Sequence, residues 1–87
     1  MLSVHWHPRA FRNVRRLQDA HHVIHLVGEI ANDPFSHLHH FEHVPHDHVY
    51  KLRVGHYRAV VNVDLNKNEL WIQRFDHRKR VYKARNN

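Results

Sequence analysis

Apolar residues recur along this chain first at helical and then at strand spacing. Leu2 to Trp6 reads as an opening strand, and Pro8 suits the first turn of a helix, where its missing N–H costs nothing. Ala10, Phe11, Val14 and Leu17 share one helical face, with Arg9, Arg12, Arg15 and Arg16 elsewhere on the same helix. Asp19 is placed to cap a second helix from Ala20. In it Val23, Ile24, Val27, Ile30 and Ala31 recur until Asn32-Asp33-Pro34 stops it. Phe35 to Asp47 has no period and reads as a surface loop. Three strand-like runs follow, at Val49–Val54, Tyr57–Val63 and Glu69–Phe75. Gly55-His56 is the break length that a tight hairpin prefers, and Asn66-Lys67-Asn68 joins the last two runs. The segment Val81 to Asn87 extends the sheet or frays. The prediction is an α+β fold in the order β-α-α-β-β-β, one domain over 1–87. Its sheet is mainly antiparallel, with an N-terminal helical hairpin packed on one face. Trp6, Phe11, Phe35, Trp71 and Phe75 are expected in or against the core.

The hairpin makes a specific electrostatic prediction. If Val54 pairs with Tyr57, Arg53 faces Arg58, and Lys51 lies two residues further along the same face. Like charges opposed across a strand pair are unfavourable, so an anion that neutralises them would explain their placement. The last run leads into Asp76, then His77, Arg78, Lys79, Arg80 and Tyr82. Cations on an exposed sheet face with an aromatic at the rim suit phosphate. The plainer reading of the same residues is a solvated sheet face.

Charge narrows the partners. Fourteen Lys and Arg against eight Asp and Glu give +6 and a pI near 10.3, which favours nucleic acid, an acidic membrane surface or an acidic protein segment. Thirteen histidines should tighten such binding as pH falls through about 6.5. No cysteine is present, which excludes a disulfide framework and a thiolate metal site. MLSVHWHPRAF is too polar for a signal peptide and no run approaches a membrane span, so a cytoplasmic protein without membrane contact is expected. His21 and His25 lie four apart and His37, His39 and His40 cluster, spacings at which imidazoles bind zinc. Nothing fixes which four would close a site, and neither metal nor other cofactor is expected.

The segments WHPRAFRNVRRL, DPF, YKLRVGHYRAVVNVD and FDHRKRVYK together resemble the RelE/ParE toxin superfamily, and specifically the RelE-like mRNA endonucleases of type II toxin–antitoxin pairs. YKLRVGHYRAVVNVD is of a kind shared across that superfamily, including the gyrase-poisoning ParE branch, while HRKRVY leans toward the ribonucleases. The resemblance implies metal-independent cleavage of mRNA in the ribosomal A site, by attack of a ribose 2′-hydroxyl on the adjacent phosphate. It implies as partners a cognate RelB-like antitoxin, in a hetero-oligomer, together with ribosome and mRNA. Lys51, Arg58, Arg78 and Tyr82 look like the catalytic set, with Arg53, His77, Lys79 and Arg80 as RNA-binding positions. The chemistry fits. Transesterification builds negative charge at phosphorus, and fixed cations stabilise it more in the transition state than in the ground state. Arg58 offers a planar fork, Arg78 a cation for the leaving 5′-oxygen, and Tyr82 a ring to stack on a base. Lys51, beside Arg53 and Arg58, is expected to help take the 2′-proton, with His77 as the general-acid candidate. The histidines, His56 among them, depart from the family pattern. A ParE-like gyrase inhibitor and a histidine-rich metal-binding protein are the competing readings.

Overall fold

Leu52, Val54, Ala59, Val61, Leu70, Ile72 and Phe75 are buried on one side of a sheet, and that shared side decides the architecture. The computed structural model describes residues 1–44 and 49–77, the last by its backbone alone. Strand β1 (Ser3–Trp6) leads into helix α1 (Pro8–Arg15) and helix α2 (Ala20–Asn32). A 3₁₀ helix (Pro34–His40) follows, then β2 (Phe41–His43), β3 (Val49–Val54), β4 (Tyr57–Asp64) and β5 (Glu69–His77). The five strands lie in the order β1-β5-β4-β3-β2, antiparallel except for β1 against β5.

Alternation along each strand sends every second side chain to the same face. The helices close over that face with Ala10, Val14, Val23, Val27, Ile30 and Ala31. Complete burial of each larger apolar side chain contributes about 1.5–3 kcal/mol. Two polar links fix the helices against the sheet. The Asn13 amide donates to the Phe75 carbonyl at 2.9 Å, and the Leu2 N–H donates to the Ala31 carbonyl at 2.8 Å. Gly55 has a φ of +60°, which suits the first central position of a II′ hairpin turn.

A bulge sets the phase of β5. Val60 pairs with Arg74 but Val61 pairs with Ile72, so Gln73 is the extra residue. Strict alternation from Leu70 and Ile72 would have put Arg74 in the core. The bulge instead brings Phe75 inward, opposite Ala59, and leaves Arg74 and Asp76 in register with Val60 and Arg58 on the other face.

Three expectations are corrected. Phe35 to Asp47 is not simply a surface loop, because Pro34 starts a 3₁₀ helix and Phe41–His43 adds an edge strand to β3. Asp19 occupies the N-cap position of α2 but makes no side-chain cap; its carboxylate accepts instead from the Tyr57 hydroxyl at 3.4 Å. Phe11, Trp71 and especially Phe35, 71% exposed, lie outside the core. Trp71 falls on the open face, stacked on His5 at 4.6 Å, with its indole N–H donating to Glu69 at 3.2 Å. Phe35 and the exposed Leu38 and Leu65 line an apolar cleft beside the 3₁₀ helix. Among the described residues, no helix is long and apolar enough to cross a membrane.

Candidate functional site

The face of the sheet away from the helices carries the cations. The hairpin has the predicted register, with Val54 opposite Tyr57 and Arg53 opposite Arg58. Lys51, two residues before Arg53, is flanked by Glu42 on β2 and Val60 on β4. A pocket of about 170 Å³ is lined by His39, His40, Phe41, Glu42, Lys51, Arg53 and Arg58. Thus Lys51, Arg53 and Arg58 share one concavity with two histidines and a carboxylate.

Arg58 is not an exposed surface residue, as the hairpin alone suggested. It is 9% exposed, because β4 is a central strand with β3 and β5 on either side. Its Nη1 donates to the Tyr57 carbonyl at 3.0 Å, and its cross-strand neighbours are Arg53 on β3 and Asp76 on β5. The carboxylate on one side offsets part of the like charge on the other. Arg53 is steered toward the 3₁₀ helix, where its Nη2 donates to the His39 carbonyl at 3.2 Å. In return the Arg53 carbonyl accepts from His40 Nδ1 at 2.8 Å. These two bonds fasten the end of the 3₁₀ helix to β3. Holding each guanidinium with a backbone carbonyl limits the repulsion that facing arginines would otherwise cause.

His77 ends β5 opposite Tyr57, while Arg78, Lys79, Arg80 and Tyr82 are outside the described residues. Sequence reasoning missed Glu42, His39 and His40 as pocket residues, and Arg74 as a neighbour of the basic row. The signals available were Pro34 directly after Asp33, suiting a helical first turn, and the apolar Phe41 between polar neighbours. At the edge of the hairpin, burial first and then the Asp19 carboxylate push the Tyr57 phenol above its ordinary value of 10.0. Among the described residues, no three His, Asp or Glu side chains gather as a metal ion would require. His25, one of the spaced pair on α2, instead meets Glu29 at 3.0 Å.

The five-stranded sheet with its helical hairpin is similar in fold to chains of solved toxin–antitoxin complexes. The intact Escherichia coli RelBE toxin–antitoxin complex contains a chain that superposes with a TM-score of 0.67 at 18% identity, over 88% of this chain and 96% of that one. The RelB–RelE complex of Methanococcus jannaschii gives a TM-score of 0.64 at 16% identity, covering 90% and 94%. The RelBE2 complex of Mycobacterium tuberculosis gives 0.62 at 22%, covering 87% and 96%. No curated protein matches the sequence. The family model of the ParE toxin of the type II toxin–antitoxin system parDE matches residues 4–82. The chain therefore belongs to that family, within the RelE/ParE superfamily, and is the toxin of a type II toxin–antitoxin system.

Proposed function

We propose that this toxin is a ribosome-dependent endoribonuclease that cleaves mRNA in the A site by metal-independent transesterification. The observation that carries the reading is the pocket on the open face, where Lys51, Arg53 and Arg58 converge. Three fixed cations in one concavity suit a phosphate that gains charge as the 2′-oxygen attacks. Arg58, held by the Tyr57 carbonyl and largely shielded from water, is positioned without reorganisation to stabilise two phosphate oxygens. Lys51 and Arg53 add charge at the rim. Arg78 stabilises the leaving 5′-oxygen, Tyr82 stacks on a base, and His77, Lys79 and Arg80 hold neighbouring phosphates. A cognate RelB-like antitoxin, the kind of partner present in the RelB–RelE complexes of similar fold, restrains the toxin until release in the cytoplasm. It does so by covering this basic surface or by displacing a C-terminal element that carries Tyr82.

The test is primer extension on translated mRNA after brief induction of the toxin. Discrete cuts that vanish when translation is blocked are expected. The match to a ParE family model favours a second reading, inhibition of gyrase without RNA cleavage. Uncut mRNA with inhibited supercoiling by purified gyrase would replace the first reading with the second.

A further inference from the structure

Transesterification needs a proton acceptor for the 2′-hydroxyl, and the 3₁₀ helix supplies a side chain suited to that step. His40 lines the same pocket as Lys51, Arg53 and Arg58, and its Nδ1 lies 2.8 Å from the Arg53 carbonyl oxygen. A carbonyl oxygen only accepts, so Nδ1 must carry the hydrogen. In the neutral ring the lone pair then resides on Nε2. The hydrogen bond sets the tautomer and the orientation of the ring together, as a backbone carbonyl or carboxylate does for other working histidines. The anchor is itself part of the site, because the same Arg53 reaches back to the His39 carbonyl at 3.2 Å. His39, more exposed, makes no ring hydrogen bond among the described residues that would fix its tautomer.

We propose that His40 is the proton acceptor of this site, taking the 2′-hydroxyl proton of bound RNA on Nε2. This rests on the ribonuclease reading and deepens it. As Nε2 takes the proton, the 2′-oxygen forms its bond to phosphorus and the bond from phosphorus to the 5′-oxygen breaks. The products are a 2′,3′-cyclic phosphate and a 5′-oxygen that takes a proton from water. The imidazolium then returns its proton to solvent. The charged and titratable groups around His40 are His37 and His39 on the 3₁₀ helix, Glu42 on β2, Lys51 and Arg53 on β3, and Arg58 on β4. In this assignment Lys51, which the sequence suggested for the proton, joins Arg53 and Arg58 in stabilising the phosphate. His40 is distinguished from the other pocket side chains by the bond to Arg53 that sets its tautomer.

The experiment is single-turnover cleavage of mRNA on programmed ribosomes between about pH 5.5 and 8.5, the range in which imidazole titrates. Wild type is compared with His40→Asn and His40→Gln. Asparagine keeps an N–H where Nδ1–H donated to Arg53, and it removes the acceptor. Glutamine places an amide near the Nε2 position that takes no proton. The wild-type rate is expected to rise with pH through one inflection to a plateau. His40→Asn should cut on the order of a hundredfold or more slowly and lose that inflection, with ribosome affinity within about twofold of wild type. If asparagine unfolds the protein, the glutamine variant is read by the same criteria. A folded variant that cuts within about threefold of wild type and keeps the inflection would overturn the role of His40 while leaving the ribonuclease reading intact. A wild type that cuts no mRNA would overturn both.

Discussion

Replacing Arg58 by alanine separates the two tasks that its buried guanidinium would perform. In the fold, alanine removes two shielded methylene groups beyond Cβ, about 0.8 kcal/mol each, and a hydrogen bond to the Tyr57 carbonyl worth about 1 kcal/mol. It also relieves the opposition to Arg53, returning up to about 1 kcal/mol. The net loss is about 1.5–2.5 kcal/mol, which lowers Tm by roughly 6–20 °C in a domain of this size. In catalysis, loss of one transition-state cation slows cleavage on the order of a hundredfold, equivalent to about 2.7 kcal/mol. Urea unfolding reads the first quantity, and single-turnover cleavage at 25 °C, in the folded range, reads the second. Arg58→Lys keeps the charge but loses the fork, so its rate should fall between the two. A folded Arg58→Ala protein that cuts at the wild-type rate would remove Arg58 from the mechanism. A variant already unfolded at 25 °C would show that the guanidinium holds the sheet far more firmly than these contacts account for.

Alkaline stability reports on Tyr57. Its folded phenol titrates above the unfolded value, so the contribution is complete below about pH 10 and is lost as pH rises through the folded value. Tyr57→Phe should flatten the fall in unfolding free energy above about pH 10; an unchanged slope would clear Tyr57 of that effect. Single-stranded RNA binding should show a log–log salt slope near −3 if Lys51, Arg53, Arg58 and Arg78 meet phosphates, each contributing about −0.7, and Arg53→Ala should reduce it by about that amount. Binding indifferent to salt would sink the phosphate argument. Cleavage should survive zinc-specific chelation with magnesium held constant, whereas loss restored stoichiometrically by zinc would favour a histidine metal site. Phe75→Ala should cost about 3–5 kcal/mol and leave little folded protein in a thermal melt, because Phe75 is 1% exposed at the centre of the core.

Much of the frame was legible because it depends on local rules. The helical spacing of Val23, Val27, Ile30 and Ala31, and the two-residue break at Gly55-His56, predict their elements from neighbours alone. The hairpin register follows from the same break, so the opposition of Arg53 and Arg58 could be predicted before any coordinates. Other features required contacts between distant parts of the chain. Phe41–His43 is a strand only because β3 offers it an edge, and three residues have too little pattern of their own to announce one. Arg58 is buried because β5, entering from further along the chain, covers the second side of β4. The bulge at Gln73 reverses which residues of β5 face the core, a choice settled by packing Phe75 under the helices. The sequence by itself therefore determined the hairpin and its charges. The tertiary structure decided what joins them, bringing His39, His40 and Glu42 to the pocket, because sheet edges and helix ends are completed by partners that no local period encodes.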